Sequence, residues 1–215
     1  MQVFCLVFKP IPLVGVLILY RFRYNMLFTQ ENSLEEIFKS IRHELNRGAL
    51  DPKHPFRFVT LASRSENGID ARYLVLRSVD EALNFYLFTD ARTSKVQQLT
   101  VFPDAVLLFY HPAKRIQVKV AGKAEIKRND ELTATFWSKI QGDARKAYNQ
   151  VLAPGTAIQD PREAFTWNEP LTDSNFTLIK ITPTEIEALQ LNGMEHLRIV
   201  MNSKEGNWDI SWIAP

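Results

Sequence analysis

The stretch ARYLVLRSVDEALNFYLFTDARTSKVQQLTVFPDAVLLFYHPAKRIQVKVAGKAE, residues 71–125, decides how this chain folds. It divides into ARYLVLR (71–77), NFYLFTD (84–90), AVLLFYH (105–111) and KRIQVKVAGKAE (114–125), four β-prone runs separated by short turn-forming segments. The last alternates strictly, with Arg115, Gln117, Lys119 and Ala121 facing one way and Ile116, Val118, Val120 and Gly122 the other. AVLLFYH is almost wholly apolar and reads as a buried strand. Between the second and third runs, RTSKVQQL (92–99) follows a strand directly and predicts a helix of about two turns, N-capped by Thr93. A helix start has unpaired N–H groups and a partial positive charge, so Ser94 and Lys95 make a natural phosphate seat.

Working outward, FRFVTLASRS (56–65) alternates as a strand, and the Asn-Gly of SENGID (65–70) turns it back into ARYLVLRSV. Upstream, Ser33 and Glu36 form a capping box, and Leu34, Ile37, Phe38, Ile41 and Leu45 recur at helical spacing. That predicts an amphipathic helix to about Arg47, ended by Gly48. Downstream, Asn129 or Asp130 caps a helix to about Gln141, and a second helix is expected over 144–152. The span to Asp173 reads as a long irregular link. NFTLIKITP (175–183) is a sixth strand, and the rest reads as closing β-structure with an Asn-Gly and a Gly-Asn turn. The reading is a mainly β (α+β) domain over 26–215, an antiparallel barrel or sandwich with flanking helices.

Residues 1–25 stand apart. Their apolar runs are broken by Lys9, Pro10 and Pro12 and are each too short to span a bilayer. An anchor, a poorly formed signal and an extension upstream of a start at Met26 are the three readings, and the extension is preferred because a helix cap follows soon after. The formal net charge of +2 hides an extension of +3 and a remainder of −1, which gives no global electrostatic case for nucleic acid. One cysteine, Cys5, permits no intrachain disulfide, which fits a reducing, cytoplasmic setting. The four histidines show no pair at ligand spacing, so no metal is expected.

Arg72 and Arg77 are an odd number apart on one strand and point to opposite faces if it is ideal. Both reach one ligand only along a sheet edge or with help from a second subunit. Gln117 between apolar neighbours is either a ligand-reading amide or a solvent-facing one. Thr89 after Phe88 could offer a hydroxyl at a strand end. Walker, dinucleotide-glycine and nucleophile-elbow motifs are missing.

Taken in order, R-x-x-V-L-R, F-T-D, T-S-K, F-P-D and R-I-Q-V-K-V-A-G resemble the pyridoxamine 5′-phosphate oxidase family, well over 34–128 and loosely over 175–215. The resemblance implies a six-stranded split β-barrel homodimer, a small-molecule substrate and FMN in a cleft between the subunits. It places Arg72 and Lys95 on the phosphate, with Ser94 where the family usually has arginine; Arg92 or Arg77 could compensate for that charge. It gives Leu74 and Val75 backbone contacts to the flavin, sets Phe88 and Thr89 beside it and Gln117 on its polar edge. The substrate half departs from the pattern: Thr135, Lys139 and Asp143 stand where Tyr, Arg and Ser are usual, and the late Arg-x-His pair survives only reversed, as His196 and Arg198. The expectation is therefore an FMN-dependent oxidoreductase whose substrate is open, with His196 as the candidate acid or base. True pyridoxamine or pyridoxine phosphate oxidation and non-catalytic flavin or haem binding are the alternatives, with membrane and nucleic-acid roles set aside.

Overall fold

The computed structural model describes residues 26–215, so the readings of residues 1–25, Cys5 included, lie outside the described residues. Eight strands form one sheet: β1 (Phe58–Ser65), β2 (Gly68–Val79), β3 (Phe85–Asp90), β4 (Asp104–His111), β5 (Ile116–Lys127), β6 (Phe176–Gln190), β7 (Leu197–Lys204) and β8 (Asn207–Ile213). The order is β3-β2-β1-β4-β5-β6-β7-β8, all antiparallel, and β3 also pairs with β6. That extra pairing closes six strands into a barrel and leaves β7 and β8 as a flange. The alternating side chains Val59, Leu61, Leu107, Phe109, Val118 and Val120 are fully buried inside it.

β6 belongs to both parts. Residues Phe176–Ile181 pair with β3 and residues Glu185–Gln190 pair with β7. The changeover falls at a bulge against β5, where a Cβ on Gly122 would lie 2.3 Å from the Thr182 carbonyl oxygen. Only glycine fits there, and Pro183 opposite it needs no ladder donor at a bulge.

Three α-helices flank the barrel: α1 (Leu34–Leu50), α2 (Ser94–Val101) and α3 (Glu131–Ser138). The Ser33–Glu36 capping box starts α1, and Ile37, Ile41 and Leu45 enter the core with no exposure. Each such burial contributes roughly 2 kcal/mol. The helix runs through Gly48, where a Cβ would meet that of Phe56 at 2.6 Å; packing, and not termination, requires the glycine.

Other boundaries also differ from the sequence reading. Phe56 and Arg57 belong to a 3-10 turn before β1, and Arg115 sits in the β4–β5 turn at φ +51°, outside the alternating face. AVLLFYH alternates, with Leu108 and Tyr110 on an exposed outer face. α3 stops at Ser138, and a 3-10 run, Gly142–Tyr148, replaces the expected helix over 144–152. Tyr148, Phe176 and Leu178 form a second small core with Phe88, Phe136, Trp137 and Ile140, which holds α3 against the β3–β6 seam. The long link is tied down by buried Asn149, whose amide oxygen accepts from Thr172 N–H at 2.9 Å and whose carbonyl accepts from Asn168 N–H at 2.8 Å.

Candidate functional site

β2 and β3 pair only from Leu76 onward, so the edge of β2 before Leu76 is not laddered to β3. α2 follows β3 directly and spans this opening. Its Gln98 accepts from Arg72 Nη2 at 2.9 Å and from the Ser63 hydroxyl at 3.0 Å, and its amide donates to Asp70 at 3.1 Å. Arg72 also donates to Ser63 Oγ at 2.7 Å and is ion-paired with half-exposed Asp70. From the helix start, Lys95 Nζ reaches Thr89 Oγ1, at 3.3 Å, as its one hydrogen-bond partner among the described residues. Burial, and then the positive charge of Arg72, hold the Lys95 ammonium below its usual pKa.

Two further groups here lack full partners. Thr93 occupies the N-cap position, but its hydroxyl turns back to the Asp90 carbonyl at 2.8 Å and makes no cap bond to the first-turn N–H groups. The hydroxyl of fully buried Thr177, paired with Thr89 across β3–β6, has no hydrogen-bond partner among the described residues. An anion with several acceptor oxygens suits this end of the barrel because donors converge on it, and it would have to compete with the Asp70 carboxylate for Arg72. Arg92 does not supply the charge that Ser94 lacks. Its guanidinium is bound bidentately to Asp90 and donates to the Gln150 carbonyl at 2.9 Å.

Arg77 is the extra residue of a bulge between β2 and β3, on the outside of the barrel, while Arg72 lies on the same face of β2 as buried Leu76. The two arginines therefore do face apart. Arg77 lies over the Phe88 ring, 5.2 Å from its centroid, and faces the Tyr148 hydroxyl. Together they open a cleft of about 680 Å³, walled by Ala49, Leu50, Phe88, Phe136, Ile140, Ala144 and Ala147. Its polar groups are Arg57, Arg77, Ser78, Lys139, Gln141 and Tyr148, with no carboxylate. Thr89 and Phe88 are successive residues of β3, so one strand serves the Lys95 cluster on one face and the cleft on the other.

The remaining predicted residues lie elsewhere in the chain. Leu74 and Val75 pair with Val59 and Phe58 on β1, with their other edge unladdered. Gln117 is half-buried on the outer face of β5, between Tyr110 and Leu189, away from the Arg72–Lys95 cluster. His196 sits before β7 and accepts from Asn192 N–H through Nδ1 at 3.1 Å. Thr135 bonds its own helix at the Glu131 carbonyl, and Asp143 pairs with Lys146 on the surface, so of that trio only Lys139 reaches the cleft. Lys119 and Lys123 are paired with Glu187 and Asp104, which removes most of a basic nucleic-acid face.

One ligand-like constellation escaped the spacing rules because its members are distant in sequence. Buried Glu44, His54 and His111 bring their ligating atoms within 4.8 Å of one another. The hydrogen bonds argue against a metal there. His54 Nδ1 accepts from Phe56 N–H at 3.1 Å and His111 Nδ1 accepts from Lys114 N–H at 3.2 Å. Both Nε2 atoms therefore carry the proton, whereas a metal at Nε2 would demand Nδ1–H donating to an acceptor. Lys114 already neutralises Glu44 at 2.6 Å.

Residues 51–190 match the family model for pyridoxamine 5′-phosphate oxidase, a span that holds the barrel, the Lys95 cluster and nearly all of the cleft. The chain belongs to the pyridoxamine 5′-phosphate oxidase family. Among curated relatives, a pyridoxine/pyridoxamine 5′-phosphate oxidase of Caulobacter vibrioides is 25% identical over 178 residues, covering 78% of this chain and 79% of that protein. One from Vibrio campbellii is 29% identical over 170 residues, covering 73% and 79%. Among solved structures, a pyridoxamine 5′-phosphate oxidase-related, FMN binding protein of Nostoc punctiforme superposes with a TM-score of 0.69 at 23% identity, covering 82% of this chain and 96% of that one. These likenesses establish the split-barrel fold. No helix among the described residues is long and apolar enough to cross a membrane.

Proposed function

We propose that this protein binds FMN and works as a cytoplasmic flavin-dependent oxidoreductase on a small-molecule substrate. The observation that carries the reading is the convergence of Arg72, Lys95 and the uncapped start of α2 at the opening between β2 and β3. The flavin phosphate would sit on those donors, with Ser94 and Thr89 contributing hydroxyls. The unladdered edge of β2 at Leu74 and Val75 would meet the ring, with Phe88 and Arg77 at its flank. Bound FMN supplies the two-electron redox chemistry; the chain supplies position and electrostatics.

Gln117 enters through a homodimer. Phe58, Tyr73, Leu108 and Tyr110 are exposed side by side on the outer face of β2, β1 and β4, and Gln117 adjoins Tyr110. An apolar patch of this kind suits a second copy, whose Gln117 would then read the ring's polar edge. His196 is the proton carrier in this reading, with its Nδ1 occupied and its Nε2 proton available. The positions of Thr135 and Asp143 away from the cleft support a substrate other than a pyridoxine phosphate. Flavin titration of purified protein tests the reading: quenching of FMN fluorescence, lost in Lys95→Ala and Arg72→Ala, is expected. Failure of the wild-type protein to bind FMN overturns it.

A further inference from the structure

A groove opens beside the Lys95 cluster, between α2 and the turn that joins β1 to β2. Ser94, Gln97, Gln98 and Val101 form its helix wall, because positions three, four and seven apart share one helix face. That wall is ~10 Å long at a rise of about 1.5 Å per residue. Two residues join the groove to the proposed phosphate seat: Ser94 precedes Lys95, and Gln98 accepts from Arg72. A serine at the mouth, in place of a long side chain, leaves the passage open. The space is about 290 Å³, the scale of part of a cofactor and not of a whole one.

The groups that line this groove differ from those of the seat. The side chains of Glu66, Asn67, Ser94 and Gln97 are exposed and make no hydrogen bond or ion pair among the described residues. No lysine, arginine or histidine is in the lining, so the groove is not a second anion site. A carboxylate without a cation accepts from hydroxyls, and the diol of a ribose offers it two donors at once. The amides of Asn67 and Gln97 each carry a donor and an acceptor, the pairing that an adenine edge presents in return. Val101 and Phe102 supply apolar surface for the face of such a ring. Arg64, its guanidinium 4.4 Å from the Phe102 centroid, holds that side chain in place. At the mouth lie the first-turn N–H groups of α2, which Thr93 leaves uncapped and which suit a phosphate.

We infer that the groove takes the adenosine half of FAD, so that this chain prefers the dinucleotide to FMN. Arg72 and Lys95 hold the phosphate nearer the flavin and the start of α2 holds the second. Glu66 takes the ribose hydroxyls, and Asn67 and Gln97 take the adenine. The inference rests on the flavin reading and adds to it the part of the cofactor beyond the first phosphate.

Isothermal titration of the purified, flavin-free protein with FMN and, separately, with FAD tests this. FAD is expected to bind at least about tenfold more tightly than FMN. Asn67→Ala and Gln97→Ala together should cut that preference to about threefold or less. FMN affinity and melting temperature should stay at the wild-type values in that double variant, because both side chains are exposed and unpartnered among the described residues. Binding of neither flavin would sink the flavin reading and this inference with it. FMN bound with a smaller preference for FAD, or a double variant that keeps the full preference, would overturn the inference and leave the flavin reading standing.

Discussion

The two ends of the barrel carry polar clusters of opposite character. At one end, Glu44 is the acceptor for Lys114, His54 and, more distantly, His111, and both imidazoles are locked by backbone N–H groups. At the other, among the described residues, Lys95 has a single long bond, Thr93 leaves its helix uncapped and Thr177 has no partner. The first cluster is buried and the second only partly so, but the deciding difference is saturation. A cluster whose donors and acceptors are all used stabilises the fold, while one with spare donors has something left to give a ligand.

The sharpest way to break the contrast is at the saturated end. Glu44→Gln leaves the Lys114 ammonium, only a quarter exposed, without its counterion and should cost about 3 kcal/mol of unfolding free energy, with FMN affinity unchanged. Denaturant melts and flavin titration read the two quantities. At the other end Lys95→Met should weaken FMN binding by about thirtyfold and leave thermal stability equal or higher, because it removes a half-buried cation that repels Arg72. A mutant that loses stability there would erase the distinction.

Acid should act on the saturated end too. Burial, then Lys114, lowers the folded-state pKa of His111 below the ordinary imidazole value of 6.5, so the folded protein binds fewer protons than the unfolded chain as pH falls past that value. Burial alone would raise the pKa of Glu44, but the bonds from Lys114 and His54 outweigh it and set it below 4.5. Both contributions are complete above the unfolded values and are lost as pH falls through the folded ones, first for His111 and then for Glu44. Unfolding free energy should therefore decline from just under neutrality downward, and Glu44→Gln should flatten the lower part of that decline. The smallest expected effect is at Asp70: Asp70→Asn frees Arg72 and should tighten FMN binding by about threefold in the same titration.

Much of the barrel was legible because period-two alternation and capping are local signals, as in the Ser33 box and the Ile116–Val120 run. Arg72 facing away from Arg77 followed from parity alone. Asp70 and Gln98 were readable but unread, since Asp70 shares a strand face with Arg72, and Gln98 a helix face with Lys95. Arg57 and the Glu44 constellation were beyond reach, because their meaning arises only when a 3-10 turn, a helix and a strand end are brought together. The 142–148 segment was misjudged because its small core with Phe176 is a tertiary contact, which overrode helix propensity.

The crowding at Gly122 has a mechanical meaning. Where β6 leaves the barrel for the flange, main chain presses on main chain, with no side chain between to act as a cushion. A side chain at position 122 would therefore have to push the two strands apart just where the barrel gives way to the flange. The absence of a side chain at this one position is thus what lets a single strand serve the barrel and the flange alike.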